Sequence, residues 1–428
     1  MREMKDSGIA WIGEIPEYYK ALPIGSLFSI KKDIIGQEPD TVLSITQTGI
    51  RPKDMSSNEG QNASSYAHYQ IVNTGDFAMN HMDLLTGWID ISKYDGVTSP
   101  DYRVFTINDK KMSAEYFLRV FQYYYANKVF FGFGQGVATL GRWRLPAVNF
   151  KKIDIPVPPI DEQYHIVSAI NDSVGKVDAL IANVQAQIEK LKAYKQSLIT
   201  EVVTKGLDPS VPMKDSGVEW IGEIATTHKV YRLKFLLSSP MQYGANESGD
   251  KYVEDSIRYI RITDITADGR LKDDDNNQYL PMSVAENYLL KDKDILFARS
   301  GGTVGKSFLY HESYGASAYA GYLIKAECDQ ELLLPEYLIY YTQSSLYELW
   351  KNMIFIQATI QNIGANKYSN MEMPVPSIQE QQEIVGYLSG KCAQIDQLIA
   401  IKQKKIDKLN EYKKSLIYEY VTGKREVS

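Results

Sequence analysis

The 428-residue sequence has no uncharged apolar run approaching the roughly 18 residues that a membrane span needs. It begins MREMKDSG, without the apolar stretch of a secretory signal. Its only cysteines are Cys328 and Cys392, too few for a disulfide scaffold and suited to a reducing cytoplasm. The five histidines (His68, His81, His165, His228 and His311) are scattered, with neither HExxH nor Cys/His ligand spacing, so no metal site is expected. Basic excess is also missing: the formal net charge is −6, which taken alone argues against nucleic acid. That figure is a sum over the whole chain, however. The stretch from Ala126 to Lys152 carries Lys128, Arg142, Arg144, Lys151 and Lys152 and no acidic residue. What remains is ordinary for a globular protein of two or three domains, 44% hydrophobic and 23% charged.

The chain is written twice. Met4-Lys5-Asp6-Ser7-Gly8 recurs as Met213-Lys214-Asp215-Ser216-Gly217, and Trp11-Ile12-Gly13-Glu14-Ile15 as Trp220-Ile221-Gly222-Glu223-Ile224. Further on, Pro156-Val157-Pro158 matches Pro374-Val375-Pro376, Glu162-Gln163 matches Glu380-Gln381, and Ser197-Leu198-Ile199 matches Ser415-Leu416-Ile417. Between these anchors the copies diverge but keep an outline. Glu115-Tyr116 and Glu336-Tyr337 each open an aromatic helical run, and Ser44-Ile45-Thr46 and Arg261-Ile262-Thr263 each read as strand. Each copy is therefore a variable globular part followed by a constant segment.

The constant segments read as long helices. Val167, Val174, Ile181, Ile188, Lys195 and Val202 form one heptad row, and Ile170, Val177, Val184, Leu191 and Leu198 its companion. The second copy gives Val385, Cys392, Ile399, Ile406, Lys413 and Tyr420 beside Leu388, Ile395, Lys402, Leu409 and Leu416. Ser377 with Glu380 is a capping-box start, and Asp161 and Glu162 suit the first turn of the earlier helix. Neither stripe tolerates water, so the two helices are expected to pair with each other. A parallel pairing sets Lys195 against Lys413, which favours the antiparallel one. Residues 167–202 would make a rod of about 54 Å, at about 1.5 Å per residue.

Catalytic patterns are weak. Ser300-Gly301-Gly302-Thr303-Val304-Gly305-Lys306-Ser307 resembles a phosphate loop but has serine where the first glycine belongs. Phe130-Phe131-Gly132-Phe133-Gly134 fits the loose F-x-G-x-G pattern of S-adenosylmethionine-binding methyltransferases, yet no N/D-P-P-Y/F motif follows. A DNA adenine methyltransferase with a built-in recognition domain is thus the alternative, and a bare coiled-coil scaffold a third. The glycine-rich stretches also permit close backbone approach to DNA. Arg, Gln and Asn beside them suit base edges, and Lys and Thr suit phosphates. These criteria pick out Lys128, Gln135, Thr139, Arg142 and Arg144 in the first copy. In the second they pick out Arg261, Arg299, Thr303, Lys306, Gln357, Gln361 and Asn362.

The alternation of two variable and two constant parts, with helix starts Ile155-Pro-Val-Pro-Pro-Ile-Asp-Glu-Gln163 and Met373-Pro-Val-Pro-Ser-Ile-Gln-Glu-Gln381, resembles the specificity subunit of type I restriction–modification systems. The variable parts add Gly75-Asp76-Phe77, Val97-Thr-Ser-Pro-Asp-Tyr102 and the run from Asp294 to Lys306. The resemblance covers essentially the whole chain. It implies an α+β architecture with a pseudo-two-fold internal repeat. Target recognition domains over 1–158 and 207–376 would be separated by constant helices over 159–206 and 377–428 that form an antiparallel coiled coil. Each recognition domain would read half of a bipartite, asymmetric site in double-stranded DNA. The helices would set the spacer and dock two methyltransferase subunits, a role carried to Glu162, Gln163, Glu380 and Gln381. The chain itself would be non-catalytic and bind no cofactor. S-adenosylmethionine would sit on the methyltransferases and ATP on a restriction and translocase subunit.

Overall fold

The computed structural model describes residues 2–54, 63–136, 143–266, 269–272, 274, 276–356 and 361–427. Two compact units divide the chain. One comprises Met1–Val184 with Lys404–Ser428, the other Gln185–Gln403. Each therefore holds one globular part and a stretch of both long helices, Ile160–Lys205 and Ile378–Val421.

In the first unit an antiparallel sheet runs in the order Phe28–Lys31, Arg103–Ile107, Phe77–Met79, Ile89–Ile91. Helix Ala114–Ala126 starts where the Ser113 side chain accepts from Tyr116 N–H. Its Phe117 and Phe121 meet Phe28, Phe77 and Phe105 of the sheet in edge-to-face and tilted contacts, so the core is largely aromatic. The second unit repeats the plan with Gln242–Tyr243, Leu323–Ala326, Ile295–Ala298 and Ser307–Leu309. Its Glu336-Tyr337 lies in helix Pro335–Tyr341, as the sequence outline requires.

The additions differ. The first unit carries the ribbons Leu43–Thr46/Gly49–Pro52 and Gln70–Val72/Gly96–Thr98. The second carries a three-stranded sheet in which Ser256–Ile260 pairs antiparallel with Gln278–Pro281 and parallel with Ser317–Tyr319. Arg261-Ile262-Thr263, expected as strand, instead enters a 3₁₀ turn at Ile262–Asp264. The cause is local. The Asp264 carboxylate accepts from Arg261 N–H at 2.8 Å and from its guanidinium at 2.8 and 3.1 Å, closing the turn.

Pro156 and Pro374, which have no N–H to give, lie in short strands beside the helix starts. Asp154–Val157 pairs with Lys20–Pro23, and Glu372–Val375 with Lys229–Arg232. The helices that follow pair antiparallel within each unit. In the first, Ser173 meets Tyr420 and Asp178 accepts from Lys413 at 2.7 and 2.9 Å. In the second, Gln187 meets Lys402 and Lys195 donates to Asp396 at 2.7 and 2.8 Å. In both, one number rises as the other falls. Asp178 and Asp396 occupy equivalent repeat positions, as do Lys195 and Lys413, so one ion pair is built twice. Each helix end is sealed likewise. Tyr116 Oη donates to the carbonyls of Pro156 and Val421, and Tyr337 Oη to those of Pro374 and Val203. Each tyrosine thus satisfies a last-turn carbonyl of the helix from the other copy.

The heptad lysines Lys195 and Lys413 are tolerated because each finds an aspartate across the pair, and Lys402 because it donates to Gln187. Asp178→Lys sets two cations together, and adding Lys413→Asp restores the attraction. The double-mutant coupling in urea unfolding is expected near 0.5 kcal/mol, within the range for exposed pairs, and shrinks in high salt. A coupling of zero at low salt contradicts this pairing.

Candidate nucleic-acid interface

Gln163 and Gln381 are both 0% exposed. Gln163 Oε1 accepts from Ser113 N–H at 2.9 Å, and its Nε2 donates to Pro158 O at 3.0 Å. Gln381 repeats this with Leu334 N–H at 2.8 Å and Pro376 O at 3.0 Å, and adds Leu332 O at 2.9 Å. Each amide therefore clips its long helix to the start of the globular helix preceding it in the chain. The sequence assigned these glutamines to a partner surface; burial corrects that, because their polar atoms are used inside the unit.

Glu162 and Glu380 sit beside them, partly covered. Glu162 Oε1 accepts from Arg2 at 2.6 Å and from Tyr19 Oη at 3.0 Å. Glu380 Oε1 lies 3.0 Å from Nε2 of the fully buried His228. A carboxylate accepts, so the imidazole donates there, and its Nδ1 is left without a partner. Only the hydroxyl half of the expected capping box is present, with Ser377 Oγ accepting from Glu380 N–H at 3.3 Å, because the Glu380 carboxylate is engaged by His228. The offset that equates Trp11 with Trp220 equates Tyr19 with His228, so this exchange of side chains was open to the sequence, though unused.

In the first unit Gln135 and Arg144 are brought together. Their backbones exchange hydrogen bonds of 2.8 and 3.0 Å in an antiparallel bridge, and both side chains are exposed. Thr139 and Arg142, between them, lie outside the described residues. Lys128 is exposed in a left-handed turn after helix Ala114–Ala126 and does not line the cleft that Arg144 lines. That cleft contains residues the sequence reading missed: Lys31, Lys32, His81 and Arg103. Burial first, then Arg103 and Arg144, push the His81 imidazole down to about 3. Burial, aided by Arg144, lowers the Arg103 guanidinium to about 10. Arg103 opens a strand reading R-V-F-T-I, and nothing in that pattern marks its burial.

In the second unit Arg299 and Asn362 meet. Ser300 and Asn362 form an antiparallel bridge, Arg299 Nε is 3.4 Å from Asn362 Oδ1, and the guanidinium stands 5.1 Å over the Tyr243 ring. Gln361 is exposed next to them, and Tyr322, whose carbonyl accepts from Arg299 N–H, is 64% exposed. Gln357 lies outside the described residues. Arg261 does not join this edge as an available donor, since Asp264 and the Asn276 carbonyl occupy its guanidinium. Thr303 ends a 3₁₀ turn and its carbonyl accepts from Lys306 N–H. Lys306 lines a different cleft, with Arg270, Lys351, Glu348 and Asp396.

Both enzyme-like patterns have packing explanations. The run from Ser300 to Ser307 connects strand Ile295–Ala298 to strand Ser307–Leu309, so no helix follows to hold a phosphate. Phe130 is buried in the core, and Phe131 packs on Trp143 with centroids 4.5 Å apart. Among the described residues no group of three His, Cys, Asp or Glu is placed to hold a metal, and no helix is long and apolar enough to cross a membrane.

Gln163→Ala strands the buried Ser113 N–H and is expected to cost about 1–3 kcal/mol in chemical unfolding of the first unit. A variant as stable as the parent that nevertheless fails to bind a partner protein would return Gln163 to the partner surface.

Residues 238–422 match the family model described as the type I restriction modification DNA specificity domain. The chain is 26% identical over 288 residues to the type I restriction enzyme MjaVIII specificity subunit of Methanocaldococcus jannaschii, a match spanning 65% of this chain and 63% of that protein. It is 22% identical to the putative type I restriction enzyme MjaX specificity subunit of the same organism, over 97% and 96% of the two chains. A chain solved in a study of assembly and conformational transition of the type I R-M system shares the fold, with a TM-score of 0.69, 14% identity and coverage of 95% of this chain and 98% of that one. Over residues 238–422 by the family model, and along nearly its whole length by sequence and fold, the chain is similar to the specificity subunits of type I restriction enzymes.

Proposed function

We propose that the chain reads a split, asymmetric site in double-stranded DNA and places methyltransferase subunits on it. One observation carries this: a single framework, built twice, supports two dissimilar polar edges. The sheets, the glutamine clips and the tyrosine seals repeat from unit to unit. The edges do not. One offers Gln135 and Arg144 beside a basic cleft, the other Arg299, Asn362 and Gln361 among tyrosines. Glutamine and asparagine pair bidentately with adenine and arginine with guanine, so edges of different composition suit different half-sites.

Chemistry is assigned to partners. Two methyltransferase subunits would bring S-adenosylmethionine, and a translocating nuclease subunit would use ATP. The exposed flanks of the helix starts, rather than the buried glutamines, would dock them. The two long helices would act as the ruler for the bases between the half-sites.

The test is methylation of a randomised DNA library by the complex reconstituted with its methyltransferase subunits. Gln135→Ala is expected to relax one position of one half-site, and Asn362→Ala one position of the other, each by about 1–3 kcal/mol of discrimination. Relaxation of the same half-site by both variants would refute the assignment of one half-site per unit. Methyl transfer from labelled S-adenosylmethionine by this chain alone would establish the methyltransferase alternative instead. Deleting seven residues from the first long helix is expected to change the spacer in the methylation pattern; an unchanged spacer removes the ruler.

A further inference from the structure

The cleft of the first unit, about 330 Å³, is walled by Lys31, Lys32, His81, Arg103 and Arg144. That is the lower end of ligand-pocket sizes, roughly 300–1,000 Å³. Lys31 is already paired with Asp76 at 2.6 Å. Among the described residues no ion pair is made by Lys32, Arg103 or Arg144. Arg103 is 4% exposed and firmly set, with Nη2 donating to Leu145 O at 2.7 Å and the guanidinium 4.7 Å over the Phe150 ring. Its Nη1 is sealed from solvent and has no acceptor among the described residues, and the buried His81 has an Nδ1 likewise unpartnered among them. An orphaned guanidinium N–H is expensive, and native structures seldom leave one without a use. Like charges gathered without an acidic side chain among the described residues to pair Lys32, Arg103 or Arg144 are the other half of the same cost. Both costs disappear if an anion enters.

We propose that this cleft seats one phosphate of the DNA backbone, with Arg103 as its buried anchor and Lys32 and Arg144 as outer clamps. The proposal rests on the DNA reading given above and deepens it: the cleft sets register, and the adjoining Gln135 reads a base. Shape favours phosphate over a base edge. Phosphates protrude from a duplex and fit a recess, whereas base edges lie inside a groove and are reached by side chains that project. A bound phosphate accepts from Arg103 Nη1; burial is the main reason that His81 stays neutral, and the phosphate charge offsets the added repulsion from Arg103 and Arg144.

Two measurements decide it. In the first, the full chain carrying isotope-labelled histidine is titrated with inorganic phosphate at constant ionic strength. The His81 ring signal is expected to move saturably and to titrate at higher pH with phosphate bound. Both responses should weaken in Arg144→Ala and in Lys32→Ala, exposed positions whose change spares the core. In the second, DNA affinity of the reconstituted complex is measured against salt. Arg144→Ala is expected to weaken specific and non-specific DNA by the same factor and to lower the log–log salt slope by about 1. No saturable shift in the parent overturns the site. A saturable shift with an unchanged salt slope shows that the cleft takes free phosphate and overturns the DNA assignment. Relaxed preference at one base position makes Arg144 a reader and overturns its role as a clamp. A complex that binds no DNA defeats the wider reading, while the phosphate titration still judges the cleft.

Discussion

The structure depends on an apolar stripe that no single copy of the repeat can cover. In each unit the helix of one copy lies against the helix of the other, and the heptad residues Ile170, Val177, Leu416 and Tyr420, or Leu198, Leu388, Cys392 and Ile395, are buried there. Burial alone does not choose direction. The polar interruptions do, because a lysine in the stripe needs an acceptor from the facing helix. Antiparallel alignment brings Asp178 to Lys413 and Asp396 to Lys195. Both lysines are partly exposed, so the aspartates add only tenths of a kcal/mol to stability. Their larger effect is on register, since a one-heptad slip leaves both charges unmatched.

The same exchange closes the domains. Tyr116 and Tyr337 are buried and spend their hydroxyls on the final turn of the partner copy's helix. Gln163 and Gln381 tie the start of the other helix to the same globular core. Each unit thus grips both helices at positions that the repeat holds constant, and the loops at its polar edge carry none of these bonds. Side chains there can change with little effect on the framework, which fits two domains that share strand order while differing in added ribbons and sheets.

Much of this was legible in the sequence, and the reasons separate cleanly. Repeat offsets and heptads are one-dimensional signals, so the helices, their pairing and the two-copy plan follow from them. Local bonds override pattern where a short-range partner exists: Arg261 reads as strand, yet Asp264 three residues later pulls it into a turn. Burial was the least readable property. Gln163 has the composition of a surface residue, and only the carbonyl of Pro158 and the N–H of Ser113 converging on it explain its place inside. Arg103 was missed for the same reason, because its neighbours Lys31, His81 and Arg144 come from separate segments that the sheet assembles.

On the proposed reading, this assembly also resolves the tension between an acidic chain and a polyanionic target. At physiological ionic strength a charge is screened beyond about 8 Å, so the net charge of −6 is not what a phosphate meets at the surface. On the proposed reading it would meet the nearest groups, which in the first unit are Lys32, Arg144 and the buried Arg103 of the same cleft. The second unit works from weaker charge and more aromatic surface, with Arg299 stacked on Tyr243 and Tyr322 turned outward. On the proposed reading, acidic residues elsewhere would weigh against indiscriminate binding, because a like-charged surface disfavours contact away from the reading edges.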